Sequence, residues 1–289
     1  MHRADGYRVK TYAPIYTIIP YIMEKRYDAS NCISEEIDYE ILKDYTRECR
    51  KKGIAMNHMA VIIAAYLRVV SQNPYLNRFV VNKRIYSRNH FCVTFVTLTQ
   101  NGSTTIKVYF NLDDDIFTVN EKINNAVEGV KERGESTSMD WIANILLKIP
   151  GLLSVGVGIL KFIDKHFWLP FAICDASPFH TSLFITNLAS IRTEAIFHHI
   201  YEFGTTGIFC AMGLPKNRVV RNSEGEFEER KFMKLGIVTD ERIADDHYYG
   251  KCFREFNKYL KNPSILEKKP GSVVYDKDIK KSDPEFIVK

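Results

Sequence analysis

The sequence predicts an α/β sandwich in which helices cover a mixed β-sheet. Helical and strand-like patterns are interspersed along its 289 residues. Neighbouring strands are joined by hairpins rather than by steady βαβ alternation, which favours a mixed sheet. A hydrophobic fraction of 45% and a charged fraction of 26% are ordinary for a globular protein. Because no repeat and no linker rich in Pro, Ser or Gly interrupts the chain, we expect a single domain.

Apolar residues at helical spacing predict the main helices. The predicted helical segments are 34–53, 57–74, 118–135 and 245–267. The first ends at Gly53, a typical helix stop, and the second ends at Pro74. The second is the more apolar, so we expect it to be covered on most sides. The last carries Tyr249 and Phe253 on one face, as an amphipathic closing helix does.

Period-two alternation predicts the strands. The predicted strands are 83–99, 104–113, 181–189, 207–215 and 230–240. The first two flank Asn101-Gly102, a dipeptide typical of a hairpin turn. The last two are separated by a turn at 222–226. Together with the helices, these strands predict the two layers of the sandwich.

The segment 141–170 is unusually apolar. Its longest uncharged piece, 149–160, has 12 residues, whereas a membrane-spanning helix needs roughly 20. We therefore expect two short helices, buried in the core or in a subunit interface, and no transmembrane segment. A helix lying on a membrane surface is the alternative. Because the N-terminus shows no secretory signal, we expect a cytoplasmic protein.

Charge and cysteine content argue against several classes of function. The net charge of +5 arises from 40 basic and 35 acidic residues without a long basic run, so we expect no nucleic-acid partner. The six cysteines are scattered without ligand spacing, which predicts reduced, buried thiols and no metal. The charged stretch 268–289 is predicted to be a solvated tail.

Three stretches carry a resemblance to a known family. They are "MNHMAVIIAAYLRVVSQNPYLNRF", "LFITNLASIRTEAIF" and "DERIADDHYYGKCFREFNKYLKNPSILE". In this order and spacing, the chain resembles the catalytic domain of the 2-oxoacid dehydrogenase dihydrolipoyl acyltransferases and, more distantly, chloramphenicol acetyltransferase. The likeness covers roughly 15–267, which predicts one acyltransferase-like domain over 1–267 with an apolar insertion at 136–180. No lipoyl domain precedes it, so we expect no covalently bound lipoyl group.

The resemblance implies a chloramphenicol acetyltransferase-like two-layer sandwich that assembles as a homotrimer or a larger cage of trimers. It places the active site at the subunit interface, where coenzyme A enters from one side and the acyl acceptor from the other. The family's HxxxDG histidine takes the proton of the acceptor. A Ser or Thr on a neighbouring strand supports the oxyanion, and the motif Asp holds an arginine from the start of the domain.

Carried over to this chain, the family's site residues are only partly present. Thr186 stands at the oxyanion position and Asp245 at the motif Asp. Asp246 replaces the motif Gly, and Glu241 replaces the catalytic His. The early arginine is missing from 18–23, where it should fall, so we expect Asp245 to have lost its usual partner.

Glu241 is a weak substitute for a histidine. Its ordinary pKa of about 4.3 lies about two units below that of His, which costs about 3 kcal/mol in proton-transfer driving force. Burial and the neighbouring carboxylates would raise the pKa of Glu241. The interpretation that we favour is structural, with Glu241 paired to Arg242 or another cation.

The pair His198 and His199 offers a displaced base. An imidazole at this position would approach the acceptor pocket from the other side of the channel, with Glu202 as its orienting group. If the pair lies on a strand, at most one ring faces the pocket. A structural role in the core or an interface is the alternative. His180 is close to a strand entry and within reach of the site, and His247 is expected to be exposed.

Two functions therefore remain open. The first is a coenzyme A-dependent acyltransferase with rearranged catalytic residues. The second is a catalytically inactive homotrimer of the same fold, a pseudoenzyme that serves as a scaffold or binding module. Loss of the motif His, the Gly and the early Arg favours the second, whereas Thr186 and the histidine pair keep the first open.

Overall fold

The computed structural model describes residues 2–10, 14–99, 102–133, 148, 151–281 and 284–287. Within these residues, a seven-stranded mixed sheet packs against helices, and a three-stranded sheet lies beside it. The elements are β1 (Gly6–Arg8), α1 (Pro14–Ile22), β2 (Ser30–Asp38), α2 (Tyr39–Lys51), α3 (His58–Gln72), β3 (Arg78–Val81), β4 (Arg84–Arg88), β5 (Phe91–Thr99), β6 (Gly102–Phe110), α4 (Ile116–Arg133), α5 (Leu152–His166), α6 (Phe171–Ala176), β7 (Leu183–Asn187), β8 (Ile208–Met212), β9 (Lys216–Arg221), β10 (Phe227–Asp240) and α7 (Asp246–Lys261). The predicted α/β class is confirmed.

The larger sheet has the strand order β2-β10-β8-β7-β5-β6, with β9 paired to the first half of β10. β7 runs parallel to both of its neighbours, and the remaining pairs are antiparallel. The β5–β6 hairpin places Thr99 opposite Gly102, as the Asn101-Gly102 dipeptide predicts. The sheet is therefore mixed, as expected.

One face of the large sheet is covered by α2, α3, α4 and α7, and the main core lies between these two layers. Every residue of α3 from Met59 to Ser71 is buried, as its all-round apolar sequence predicts. The side chain of Asn57 caps its first turn by accepting a hydrogen bond from the Met59 amide. All six cysteines are free thiols and five of them are buried, as predicted.

The opposite face of the large sheet, here called the open face, carries Phe184, Phe209 and Val238. An irregular segment, 192–207, crosses this face. A Cβ atom added at Gly236 would lie 2.2 Å from the carbonyl oxygen of Ile196, so only glycine allows the crossing chain to approach this closely. The crossing places the histidine pair above the sheet.

The insertion contributes α5 and α6. All residues of α5 are described, and Asp164 is the one that is buried. Val155, Ile159 and Phe162 are exposed instead. The expectation that this segment is buried in the core of its own chain is therefore wrong for α5, whose protein side is held by the ion pair between Asp164 and Arg3 rather than by apolar packing. A subunit-interface role stays a prediction.

Two further boundaries differ from the predictions. The strand β2 takes the first residues of the predicted helix 34–53, because the segment pairs with β10 and its side chains alternate in exposure. The helix α2 begins only after Asp38, whose side chain caps it by accepting from the Glu40 amide. The strand β9 was not predicted, because its residues are mostly exposed and lack apolar alternation.

The charged C-terminal stretch is partly docked on the domain. Arg78 forms a buried ion pair at 2.7 Å with Asp276 and a half-buried one at 2.8 Å with Asp278. The amide of Val274 donates a 2.8 Å hydrogen bond to the carbonyl of Ser71. The prediction of a uniformly solvated tail is therefore wrong for the described residues, because Arg78 binds two carboxylates of the tail.

Candidate active site

The motif residues lie where β10 ends and α7 begins. Asp240 is fully buried, and its carboxylate accepts hydrogen bonds from Nε (2.8 Å) and Nη2 (2.7 Å) of Arg242. The buried guanidinium of Arg26 lies 4.0 Å from the same carboxylate. Arg26 also donates to the carbonyls of Tyr201, Glu202, Val80 and Gly204. This network fixes the end of β10 to the segment that crosses the open face.

Glu241 follows this network directly but takes no part in it. Its backbone amide donates a 2.8 Å hydrogen bond to the carbonyl of Ala29, and its side chain is half-buried. The predicted ion pair between Glu241 and Arg242 is wrong, because Asp240 already engages Arg242 in a bidentate pair. In the described part of the chain, no cation lies within 4.0 Å of the Glu241 carboxylate.

Asp245 has a tyrosine as its partner in place of an arginine. The Tyr16 hydroxyl donates a 2.6 Å hydrogen bond to its carboxylate, and this bond lowers the pKa of Asp245. The same side chain caps α7 by accepting from the Tyr248 amide at 2.7 Å. Arg26, an arginine near the start of the chain, lies beside Asp240 instead. Sequence reasoning did not identify Tyr16, since the family motif directed attention to arginine.

A cavity of about 290 Å³ adjoins Asp245. Its lining includes Tyr16, Tyr75, His247 and Tyr248. Neither Thr186 nor the histidine pair lines it. On one chain, therefore, the cavity beside the motif and the predicted oxyanion residue are separate.

Thr186 lies on β7, half-buried, on the open face of the sheet. It pairs with Ala211 of β8, which pairs in turn with Gly236 of β10. Glu241 is five residues beyond Gly236. With a rise of about 3.3 Å per residue and about 4.8 Å between strands, Thr186 and Glu241 of one chain are roughly 15–20 Å apart. A single chain does not bring them together.

His198 lies much closer to Thr186. Its ring stacks on Phe209 with the centroids 4.2 Å apart and the planes within 5°. Phe209 stands two residues before Ala211, the strand partner of Thr186, so His198 covers a position diagonal to Thr186 on the same face.

The two histidines do not face opposite ways. The segment around them is irregular rather than a strand, and the ring of His199 lies 4.8 Å from that of His198. The segment is therefore not the strand that such alternation requires, and the expectation that at most one ring faces the site stays a prediction. His198 is half-buried, whereas His199 is exposed.

The His198 ring is held by a backbone contact. Its Nδ1 lies 3.0 Å from the carbonyl oxygen of His199. Because a carbonyl only accepts hydrogen bonds, this contact requires the proton on Nδ1 and leaves Nε2 with a free lone pair in the neutral ring. The predicted orienting role of Glu202 is wrong, because its carboxylate accepts from the Arg26 amide at 2.9 Å.

A second buried network joins the N-terminus to the insertion. Arg3 donates to Asp5 at 2.8 Å and to Asp164 at 2.6 Å, and Nε2 of His180 lies 3.4 Å from Asp164. Burial alone would raise the pKa of Asp5, but the Arg3 guanidinium outweighs it and holds that pKa at about 2. His180, predicted to be within reach of the site, is instead buried in this network.

Within the described residues, Asp5, Cys174 and His180 offer ligand-type atoms that all lie within 4.8 Å of one another. We assign no cation to them on electrostatic grounds. Both oxygens of Asp5 are engaged by Arg3. Burial also raises the pKa of the Cys174 thiol to about 12, and buried Arg88 adds a further positive charge nearby.

Comparison with known proteins identifies the fold. No family model matches the chain, and no curated protein matches its sequence. Among solved structures, a probable dihydrolipoamide acetyltransferase from Listeria monocytogenes 4b F2365 is similar with a TM-score of 0.59 at 12% identity, covering 92% of this chain and 97% of that chain. A truncated catalytic core of the 2-oxoacid dehydrogenase multienzyme complex from Thermoplasma acidophilum has a TM-score of 0.53 at 14% identity, covering 88% and 97%. A chloramphenicol acetyltransferase has a TM-score of 0.53 at 10% identity, covering 85% and 94%.

These similarities extend over nearly the whole chain, so the predicted fold is confirmed. The protein has the two-layer fold shared by dihydrolipoamide acyltransferase catalytic cores and chloramphenicol acetyltransferase. The fold does not by itself define the chemistry, which depends on the side chains described above. In the described part of the chain, no helix has the length and apolar character needed to cross a membrane.

Proposed function

We propose that this protein transfers acyl groups from coenzyme A thioesters to a small acceptor, at sites formed between copies of the chain in a homotrimer. The observation that carries the proposal is the contact between Nδ1 of His198 and the carbonyl of His199. It favours the tautomer in which Nε2 is the basic atom, as general-base catalysis requires. The fold and the open-face position of Thr186 support it further.

His198 is the base in this mechanism. Nε2 takes the proton of an acceptor thiol, amine or hydroxyl as the acceptor attacks the thioester carbonyl. The tetrahedral intermediate then collapses with loss of the coenzyme A thiolate, which takes the proton back from the imidazolium. Stacking on Phe209 holds the ring in place, and the side chain as a whole is half-buried rather than enclosed.

Thr186 is the oxyanion donor. Its hydroxyl lies on the face over which His198 is stacked, in diagonal register with it. A single well-placed donor of this kind is worth about 10²–10³ in kcat. Because the pair shares one face, a thioester bound there can meet both groups at once.

The motif end of a neighbouring chain completes the site. Thr186 and Glu241 of one chain are roughly 15–20 Å apart, so only a second copy can place its motif and the adjoining cavity opposite Thr186. Asp245 then serves mainly to hold α7 and Tyr16 in position. A homotrimer of the kind that the family resemblance implies would supply this arrangement.

Acyl-CoA turnover tests the proposal. Free thiol release is measured with a panel of acyl-CoA donors and of thiol, amine and alcohol acceptors. We expect His198→Gln to lower kcat about 10²–10⁴-fold and Thr186→Val to lower it about 10²–10³-fold. His199→Gln is the matched control, since this neighbouring exposed ring should change turnover only a few-fold.

Two outcomes would overturn the assignment. Loss of turnover in Glu241→Gln, with His198→Gln unaffected, would return the base to the motif position. If the wild-type protein bound neither coenzyme A nor acyl-CoA in a calorimetric titration, the proposed acyltransferase activity would be ruled out.

A catalytically silent homotrimer is the second candidate, and the state of the motif favours it. Asp245 is committed to Tyr16 and to the cap of α7, and no imidazole stands at the motif position. A silent trimer would show the predicted assembly by light scattering without thiol release for any donor and acceptor.

A further inference from the structure

Helix α5 reverses the burial that its sequence would predict. Most of its residues are apolar, yet the buried residue is a carboxylate, Asp164. Val155, Ile159 and Phe162 are between 54% and 58% exposed. Burial of an aspartate in place of three large apolar side chains is the opposite of the usual preference. Within the residues that the structure describes, more than half of the surface of each of these three side chains stays uncovered.

The exposed apolar side chains form one continuous stripe. Val155, Ile159 and Phe162 stand at positions i, i+4 and i+7, which share a helix face, and Asp164 lies on the opposite face. Phe167 and Trp168 extend the stripe beyond the end of the helix, with 57% and 43% of their surface exposed. The ring of Phe167 lies 6.1 Å from that of Phe162. We call these five residues the apolar stripe.

The charges beside the apolar stripe are of one sign. From 151 to 170 the charged residues are Lys161, Asp164 and Lys165. Asp164 is neutralised by Arg3 in the buried network. Lys161 and Lys165 are exposed, one turn apart along one edge of the stripe, and within the described residues neither has a carboxylate within 4.0 Å. The outward side of α5 is therefore apolar and basic.

This basic edge continues into a cavity of about 290 Å³. Lys25, Lys161 and Lys165 line it together with the buried side chains of Arg26 and Arg242. Its three acidic lining residues already have partners. Glu24 pairs with Lys83, Asp164 with Arg3, and Glu202 accepts from the Arg26 amide. Arg26 and Arg242 in turn face Asp240, so the positive charge that the cavity adds beside the stripe comes from Lys25, Lys161 and Lys165, and the cavity has room for an anionic headgroup.

We propose that α5 docks this face onto the surface of an anionic lipid bilayer, with the apolar stripe among the acyl chains and Lys161 and Lys165 at the headgroups. An apolar face, a basic edge and terminal aromatic residues are the features of an interfacial helix. Fifteen residues span only about 22 Å along the axis, so α5 lies flat rather than crossing.

A second copy of the chain fits this face less well. If two α5 helices met face to face, Lys161 and Lys165 of one copy would lie against the same lysines of the other. An anionic bilayer offers the complementary charge along the whole edge. The docking is independent of the proposed acyl transfer, because none of its residues belongs to the Thr186–His198 pair.

Vesicle co-sedimentation of the full chain tests the proposal. Vesicles of phosphatidylcholine alone are compared with vesicles that also contain phosphatidylglycerol, at low and high salt. We expect binding only to the anionic vesicles, and weaker binding at high salt. The double variant Lys161→Gln/Lys165→Gln should lower the partition coefficient about fivefold per lysine. Ile159→Ser/Phe162→Ser should lower it about tenfold or more, since two apolar side chains no longer enter the bilayer.

A matched control uses exposed apolar residues elsewhere. Val219 and Phe227, on the β9–β10 hairpin, are 69% and 79% exposed, and Val219→Ser/Phe227→Ser should leave vesicle binding unchanged. Light scattering of the same variants separates the two possible occupants. If Ile159→Ser/Phe162→Ser dissociates an oligomer and leaves vesicle binding intact, the stripe is a subunit contact and the proposal is overturned. Equal binding to both kinds of vesicle, or to neither, overturns it as well.

Discussion

Two helices of equal length, α3 and α5, are both rich in apolar residues but use them in opposite ways. Each has 15 residues. In α3 every residue from Met59 to Ser71 is buried by elements of the same chain. In α5 the buried residue is Asp164. Apolar composition therefore indicates that a helix packs against an apolar partner, but it does not indicate which molecule that partner belongs to.

The two helices are also held by different forces. Burial of one large aliphatic side chain contributes about 1.5–3 kcal/mol, and α3 gains this term many times over. On its protein side, α5 depends on the pair between Asp164 and Arg3, with His180 beside it. Predictions that separate these two modes follow, beginning with the largest effect.

Removing a core side chain of α3 should have the largest effect. Ile63 is fully buried, and Ile63→Ala should lower the free energy of unfolding by about 2–5 kcal/mol, because both the transfer free energy and packing are lost. Urea unfolding followed by circular dichroism measures the change. A loss below about 1 kcal/mol would mean that α3 is not the centre of the core.

Removing the buried charge of α5 should come next. Asp164→Asn deprives Arg3 of one of its two carboxylates, while Asp5 still holds the guanidinium. We expect a loss of about 1–3 kcal/mol, the cost of leaving a buried donor without one of its partners. Hydrogen exchange should accelerate in 152–166 and stay slow in α3. Equal acceleration in both helices would show that the two are not held independently.

Acidification should destabilise the packing of α5 at a higher pH than the packing of α3. The folded-state pKa of Asp5 is depressed from 3.8 to about 2, and that of Asp164 is also lowered. A carboxylate whose pKa is depressed in the folded state stabilises the fold at pH values above its unfolded-state pKa. This contribution is lost as the pH falls through its folded-state pKa. The contribution of Asp5, about 2 kcal/mol, should therefore disappear between about pH 4 and pH 2. Hydrogen exchange measured across this range checks it, and protection of 152–166 that does not change would contradict it.

The smallest effect is expected at the exposed stripe. Ile159 is 54% exposed, so Ile159→Ser should change the free energy of unfolding by no more than about 0.5 kcal/mol. The same urea titration measures it. A loss comparable to that of Ile63→Ala would mean that α5 is covered in the isolated protein.

Local patterns predicted much of the fold. The all-round apolar run ending at Pro74 predicted α3, and alternation around Asn101-Gly102 predicted the β5–β6 hairpin. The remainder depended on contacts between distant residues. Nothing near Arg3 in the sequence indicates Asp164, which lies 161 residues away. The burial of α5 was mispredicted for this reason.

The candidate site was predictable at the level of positions but not of contacts. The motif blocks located Thr186, Glu241 and Asp245. Whether Glu241 pairs with Arg242 depended on the geometry at the end of β10, where Asp240 competes for the same guanidinium. The relation of His198 to Thr186 arises because an irregular segment crosses the sheet at Gly236. That glycine and Gly213, where an added Cβ atom would lie 2.4 Å from the backbone nitrogen of Ala195, are the signals in the sequence that could have indicated the crossing.

The separation of Thr186 and Glu241 within one chain has a consequence for kinetics. If the Thr186–His198 pair of one chain works only when the motif end of a neighbouring chain completes the site, the catalytic unit is that contact rather than the folded chain. Turnover per milligram would then fall on dilution below the dissociation constant of the assembly, although no chain unfolds. Two damaged chains, one without Thr186 and one without an intact motif end, would restore a working contact when mixed.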